Sequence, residues 1–194
     1  MDYSVQVQKQ IYFVRHCHAH GQHRDSPLTT NGLKQAEQLA YYFSKLDKRI
    51  DCIISSPYLR AIDSIKPFAM KQDLSIHIDE RLQERMLSVQ PIDDWLEVLE
   101  HSFQEPDFAL PGGESSNDAF KRAYPILDEI VQQNDYQNII IVSHGNLIAL
   151  LLNHFDHTFG FEQWKTMRNP DIYALQFCEE LESPQHIIWQ DLYK

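Results

Sequence analysis

The sequence contains no apolar run of the length that a membrane helix needs, about 20 residues. Its first ten residues, MDYSVQVQKQ, have neither the basic nor the apolar segment of a secretory signal. The three cysteines, Cys17, Cys52 and Cys178, are odd in number and far apart. A disulfide framework is therefore not predicted. We expect reduced thiols in a cytoplasmic protein that has no membrane partner.

Cationic side chains are also scarce, since 17 Lys and Arg stand against 28 Asp and Glu, for a net charge of −11. Nucleic acids bind fields of the opposite sign, so a DNA or RNA partner is disfavoured. A small anionic substrate would need a local basic pocket to overcome the repulsion. The glycine-rich signatures GxxxxGK[ST] and GxGxxG are missing as well, so no cofactor is predicted.

What the sequence does contain is an alternation of apolar strands with amphipathic helices. Strands are predicted at 10–16, 51–56, 74–78 and 138–143, and late edge strands at 171–178 and 186–191. Helices are predicted at 33–46, from Ser56-Pro57 onward, near 92–103, over 115–133 with a bend or break at Pro125, and after 144. This alternation indicates an α/β fold with a mostly parallel central sheet.

The length of 194 residues suits a single domain spanning 1–194. Within it, residues 79–114 are more acidic and close in PDFALPGGE. We interpret this stretch as an insertion that partly covers the active site.

Two predicted strands end in histidine, the first at Arg15-His16 and the fourth at Ser143-His144. Ligands of open α/β sheets bind beyond the carboxyl ends of the strands. If the two strands are neighbours, both imidazoles and the guanidinium of Arg15 meet at one edge of the sheet.

The stretch YFVRHCHAHGQHR, residues 12–24, allows three interpretations, of which the first is a metal site. Its ligands would be His16, Cys17, His18, His20 and His23. The sequence has no HExxH, no CxxC and no second ligand cluster. Adjacent residues of a strand also point to opposite faces, which separates His16 from Cys17. A functional metal site is therefore disfavoured.

The second interpretation makes Cys17 a thiolate nucleophile with Arg24 as its partner. The loop resembles the Cys-x5-Arg loop of cysteine-dependent phosphatases, but six residues separate Cys17 from Arg24. One extra residue spoils the ring of backbone N–H groups that holds a phosphate. We prefer to interpret Cys17 as a small side chain at a strand-to-loop turn. The third interpretation makes His16 itself the nucleophile.

Six motifs occur in order over residues 10–150: VRHC, SPLTTNG, ISSPYLRA, ERLQER, PGGES and IVSHGN. Together they resemble the histidine phosphatase superfamily, the phosphoglycerate mutase-like phosphatases. This resemblance implies a three-layer sandwich, with a mostly parallel central sheet and helices on both faces.

The resemblance also implies a role for each matching residue. His16 is the residue that becomes phosphorylated, and Glu84 is the proton donor. Arg15, Arg60 and His144 bind the phosphate, with His144 also catalytic. A neutral imidazole can attack phosphorus and later leave, and arginine forks suit the phosphoryl oxygens. We expect His144 to be protonated and Glu84 to alternate between acid and base.

Three further residues are expected to support the site. Glu114 matches the glutamate of the family's Gly-Glu-Ser segment. Cys17 and His18 follow His16, where the family commonly has glycine and then an acidic residue or glutamine. A side chain at Cys17 limits how closely that turn can approach a phosphate.

The expected activity is that of a metal-independent phosphomonoesterase of the histidine acid type. It would act on a small phosphorylated metabolite and release inorganic phosphate. One alternative is a phosphoglycerate mutase-type phosphoryl transferase, although such mutases are typically longer. The other is a phosphate-binding domain without turnover, although Arg15, His16, Arg60 and His144 are all present.

Overall fold

The computed structural model describes residues 7–133, 135–178 and 186–192. The segment inspected for a secretory signal lies largely outside these residues. The strands are β1 (Val7–Arg15), β2 (Cys52–Ser55), β3 (Ile76–Ile78), β4 (Asn138–Ser143), β5 (Asp171–Cys178) and β6 (His186–Gln190). The helices are α1 (Thr30–Ser44), α2 (Leu59–Gln72), α3 (Trp95–Gln104), α4 (Ser116–Ala123), α5 (Pro125–Gln132), α6 (Gly145–Phe155) and α7 (Phe161–Thr166), with a 3-10 turn at Glu80–Leu82.

The strands form one sheet in the order β3-β2-β4-β1-β5-β6. The first four in this order pair in parallel, and β5 runs antiparallel to both of its neighbours. The predicted α/β class with a mostly parallel sheet is confirmed, although the sheet is mixed. The prediction that both late strands are edges is wrong for β5. β5 pairs with β1 on one side and with β6 on the other, so it is an interior strand, and its Ile172, Ala174 and Leu175 are fully buried.

Side chains that alternate along the central strands build a core on each face of the sheet. Ile11 and Phe13 of β1 pack into a cluster with helices α4, α5 and α6. Tyr12 and Val14 pack into a second cluster, with helices α1 and α2. Helices on both faces give the three layers that the resemblance implies.

Local sequence signals set most of the helix ends. The Thr29 side chain accepts a hydrogen bond from the Gly32 N–H and caps α1, and Ser115 caps α4 in a capping box with Asp118. Pro125 falls at the break between α4 and α5, where its missing N–H costs little. Helix α2 begins at Leu59, two residues later than predicted from Pro57. Among the described residues, no helix combines the length and apolarity needed to cross a membrane.

Candidate active site

The two histidines meet because β1 and β4 are neighbours in the sheet. Arg15 lies opposite Ser143 in the parallel register, and the His16 N–H donates to the Ser143 carbonyl at 3.0 Å. His16 and His144, which follow these two residues, therefore leave the sheet at the same edge. The rings of His16 and His144 lie 5.2 Å apart between centroids, at an angle of 63°.

The hydrogen bonds of His16 define its tautomer. Nδ1 lies 2.7 Å from the Cys17 carbonyl, which only accepts, so Nδ1 carries the proton. Nε2 in turn accepts from Nε of Arg60 at 3.2 Å. The pKa of His16 is lowered to about 3, chiefly by burial and also by the charges of Arg60 and Arg15, against the opposing bond to Cys17. His16 is therefore a neutral base whose lone pair is on Nε2.

His144 caps the N-terminus of α6 and is fully buried. Its Nδ1 accepts from Nη2 of Arg60 at 3.2 Å, so the proton is on Nε2, which lies 2.7 Å from Oγ of Ser56. Burial lowers the pKa of His144 well below its ordinary value, and the nearby His16 and Arg60 act in the same direction. The expected protonated His144 is thus corrected to a neutral one, because burial beside guanidinium groups disfavours another cation.

Arg60, the second residue of α2, is a fully buried guanidinium that joins both histidines to the loop after β1. Besides its bonds to the two imidazoles, Nη1 donates to the carbonyls of Gln22 and His23, both at 3.0 Å. Burial lowers the pKa of Arg60, but a guanidinium stays charged at neutral pH. It therefore carries a positive charge directly against the lone pair of His16.

Arg15 lies against the N-terminus of α6. Its Nη1 donates to the Met167 carbonyl at 2.8 Å, while its buried Nε has no hydrogen-bond partner among the described residues. A Cβ on Gly145 would lie 2.9 Å from both Cζ and Nε of Arg15. A glycine at position 145 is therefore what allows the guanidinium to lie there. Burial lowers the pKa of Arg15, although Glu84 and Asp171 oppose the shift.

Glu84 follows the 3-10 turn and reaches the same site from another element. Its Oε2 lies 3.9 Å from Nδ1 of His144, and its Oε1 accepts from the Arg85 N–H at 3.0 Å. Burial raises the pKa of Glu84 above its ordinary value, and the bond to Arg85 and the charges of Arg60 and Arg15 oppose that rise. The net shift is therefore toward the protonated carboxyl, with desolvation as its largest cause.

Glu114 lies outside the cavity and holds the loop that carries Glu84. Its carboxylate accepts two bonds from Arg122, at 2.7 and 2.8 Å. Its backbone N–H donates to the Met86 carbonyl at 2.7 Å, and its carbonyl accepts from Nε of Arg85 at 3.0 Å. Glu114 thus ties residues 85–86 to α4.

Cys17 and His18, which follow His16, lie in different surroundings, one in the core and the other at the surface. Cys17 is fully buried in the cluster with α1 and α2. Its N–H donates to Oγ of Ser64 at 2.7 Å. Burial raises the pKa of its thiol to about 12. The Cys17 side chain therefore packs in the core as a neutral thiol, and the thiolate interpretation has no support. Cys17 and Cys52 are free, while the side chain of Cys178 lies outside the description. His18 is exposed and lines the cavity.

A cavity of about 700 Å³ opens above the two strand ends. The described residues that line it include Arg15, His16, His18, Gln22, Tyr58, Glu84, Asn146, Trp164 and Asn169. Cys17 does not line this cavity, whereas His16 does. The two side chains are therefore not placed to bind one metal ion. No group of three or more His, Cys, Asp or Glu side chains in the described ranges is arranged to hold a metal ion.

Sequence reasoning missed several polar residues of this cavity. Asn146 is only 7% exposed, and both its Nδ2 and its Oδ1 have no partner among the described residues. Its place in the IVSHGN motif was the signal that could have identified it. Asn169, whose Nδ2 donates to the His16 carbonyl at 2.7 Å, lies in no recognisable motif. Ser56 lies in the same ISSPYLRA motif as Arg60 and was also not identified.

Comparison with known protein families decides what this arrangement belongs to. The model of the histidine phosphatase superfamily (branch 1) matches residues 11–185. The chain belongs to this superfamily. The resemblance inferred from the six motifs is therefore confirmed.

Several curated relatives of this superfamily member carry phosphatase names, and one carries a phosphoglycerate mutase name. It is 31% identical over 163 residues to "Putative phosphoserine phosphatase 2" of Hydrogenobacter thermophilus, covering 74% of this chain and 77% of that protein. It is 30% identical over 149 residues to the glucosyl-3-phosphoglycerate phosphatase of Mycolicibacterium vanbaalenii, covering 66% of this chain. It spans 62% of the length of that second relative.

Solved structures of histidine phosphatases share the fold. A phosphoserine phosphatase mutant from Entamoeba histolytica, in complex with phosphoserine, matches with a TM-score of 0.76 at 20% identity, over 95% of this chain and 98% of that one. A mycobacterial glucosyl-3-phosphoglycerate phosphatase with inorganic phosphate matches with a TM-score of 0.71 at 23% identity, over 94% and 96%. At these identities the likeness establishes the three-layer fold.

Proposed function

We propose that the protein is a metal-independent phosphomonoesterase that hydrolyses a small phosphorylated metabolite through a phosphohistidine on His16. The observation that carries this proposal is the state of His16. Its proton is on Nδ1 and its lone pair on Nε2 faces a cavity beside Arg15 and Arg60. A neutral imidazole held next to fixed positive charge is what an attack on an anionic phosphate ester requires.

In the first step, the Nε2 lone pair forms a bond to phosphorus while the bond from phosphorus to the ester oxygen breaks. The bound phosphate accepts a hydrogen bond from Nε of Arg60, which otherwise donates to His16. It also accepts a hydrogen bond from Nε of Arg15, which has no other partner among the described residues. These donors, with the N-terminus of α6, stabilise the negative charge on the equatorial oxygens. The unpartnered amide of Asn146 is placed to bond the same group.

The leaving oxygen needs a proton as its bond breaks, and Glu84 supplies it. In the second step, Glu84 takes a proton from water, the water oxygen bonds to phosphorus and the bond to Nε2 breaks. Inorganic phosphate and a neutral His16 are regenerated. The raised pKa of Glu84 supports this role, because the first step starts from the protonated carboxyl.

The test is hydrolysis of p-nitrophenyl phosphate in excess EDTA, with alkaline quenching to detect labelled phosphoenzyme. The wild type is expected to turn over and to carry an alkali-stable, acid-labile label. His16→Ala is expected to lose at least about a thousandfold in kcat and all of the label. His20→Ala, an exposed histidine of the same loop, is the matched control and should keep both.

Other outcomes would contradict the proposal in identifiable ways. Loss of activity in EDTA would point to a metal, and loss in Cys17→Ala without unfolding would point to a thiolate. Transfer of label to an added alcohol in preference to water would indicate a mutase-type transferase. Binding of phosphate with no turnover of any ester would leave a phosphate-binding domain.

A further inference from the structure

The cavity wall formed by residues 86–92 carries no charge, and Ser88 and Gln90 are its polar lining residues. The segment MLSVQPI, residues 86–92, contains no Asp, Glu, Lys, Arg or His. The apolar side chains of this wall are Met86, Leu87, Pro91 and Ile92. Trp95 of α3 and Trp164 of α7 line the same cavity. The alcohol part of a bound ester therefore meets hydrocarbon and indole surface on this side.

Two of these side chains remain exposed although they line the cavity. Met86 is 46% exposed and Trp95 is 48% exposed. The ring of Trp95 meets that of Trp164 edge to face, with centroids 6.3 Å apart. Large apolar side chains left open at the mouth of a cavity are typical of ligand-binding grooves. An apolar group bound there would remove this surface from water.

The two arginines that line the cavity, Arg15 and Arg85, are already committed to other groups. Arg15 lies at the phosphate end beside His16. Arg85 is 5% exposed, and its Nε and Nη1 donate to the Glu114 carbonyl and to Oγ of Ser102 and Ser116. A carboxylate on the alcohol part would therefore be placed against uncharged, mostly apolar surface with no uncommitted arginine among the described lining residues, which is unfavourable.

Resting on the proposed function, we propose that the alcohol part of the substrate is an uncharged apolar group that packs between Met86, Trp95 and Trp164. The enzyme then selects hydrocarbon-bearing phosphate esters over those whose alcohol carries a carboxylate. This selection is a property of residues 86–95 and 164, and it is separate from the phosphate chemistry at His16.

The test compares hexyl phosphate, ethyl phosphate and phosphoserine, because all three release alkoxides and differ mainly in the group that meets the wall. Each buried CH2 group is worth about fourfold in affinity, so kcat/KM for hexyl phosphate is expected to exceed that for ethyl phosphate at least tenfold. Phosphoserine is expected to be the poorest of the three. Trp95→Ala should lower the ratio of hexyl to ethyl phosphate about fivefold or more.

Leu96→Ala is the matched control, since Leu96 lies next to Trp95 on α3, is 43% exposed and does not line the cavity. It should leave the ratio as in the wild type. Equal kcat/KM for hexyl and ethyl phosphate, or a preference for phosphoserine, would overturn the apolar assignment. If no ester is hydrolysed, the phosphatase proposal fails by itself. Calorimetric binding of hexyl and ethyl phosphate would then still decide the question about the wall.

Discussion

At the scale of single residues, burial shifts the pKa values of His16 and Glu84 in opposite directions. It lowers the pKa of His16 and raises that of Glu84. The proposed first step uses a deprotonated imidazole and a protonated carboxyl at the same pH. Both shifts are in the direction that this proposed step requires.

Glu84→Gln separates the acid from the rest of the machinery, because it keeps the shape of the side chain and removes its proton transfer. For ethyl phosphate, whose alkoxide must be protonated, we expect kcat/KM, which reports the first step alone, to fall by about 10² to 10⁴. For p-nitrophenyl phosphate the fall is expected to be much smaller, because nitrophenolate leaves without a proton. Both rates are measured by phosphate release.

The pH profile provides the second measurement on this variant. The kcat/KM of the wild type should decline as the pH rises through the raised pKa of Glu84, because the protonated carboxyl that the first step uses is lost. That alkaline decline should disappear in Glu84→Gln. Glu80→Gln, an exposed glutamate paired with Arg24, is the control and should behave as the wild type. Equal losses on both esters in Glu84→Gln would exclude Glu84 as the acid.

At the scale of elements, the contact between Arg15 at the end of β1 and the first turn of α6 depends on the absence of a side chain at Gly145. Gly145→Ala places a Cβ 2.9 Å from Cζ and Nε of Arg15, so the guanidinium must move. We expect kcat/KM to fall at least about tenfold while the fold is kept, since only one phosphate contact is disturbed. Gly160→Ala is the control, because its nearest neighbour would lie 4.0 Å away. An unchanged kcat/KM in Gly145→Ala would show that Arg15 does not need its position.

Elements with strong local signals could be predicted from the sequence, and those set by distant packing could not. The β-branched run NIIIVS predicts β4, and Pro125 correctly marks the gap between α4 and α5. The six residues of α7 are too few to show a helical period. The direction and place of β5 depend on its pairing with β1, which no local pattern encodes.

The same division holds for the candidate site. The strand-end histidines and Arg60 stand inside motifs, so they could be identified in the sequence. Asn169 and the Met167 carbonyl reach His16 and Arg15 from a segment that carries no motif. The protonation of His144 also depends on surroundings that only the folded chain creates, and there the sequence-based expectation was wrong.

At the scale of the whole molecule, two buried neutral histidines make stability depend on pH. Below its ordinary pKa of 6.5, each takes up a proton in the unfolded chain, while folded His16 resists protonation down to about 3. The free energy of unfolding should therefore be fully present above about pH 6.5 and decrease as the pH falls. The decrease is up to about 1.4 kcal/mol per pH unit for each histidine.

Urea unfolding at several values between about pH 7 and pH 5 measures this slope. His144→Gln should be less stable throughout, because two buried hydrogen bonds are altered, but its slope should be shallower than that of the wild type. His20→Gln changes an exposed histidine and should keep the wild-type slope. The same slope in His144→Gln as in the wild type would contradict the neutral state of His144.

The position of β1 in the middle of the sheet also governs when the protein can first work during its synthesis. Arg15 lies beside Ser143 on one side and Asp171 on the other. A ribosome releases both of those partners long after it has released β1, so the nascent chain carries an apolar strand with no neighbour for most of translation. Such a strand is a target for chaperones and for aggregation. The candidate site is therefore complete only after β4 and β5 have both emerged and β1 has closed between them.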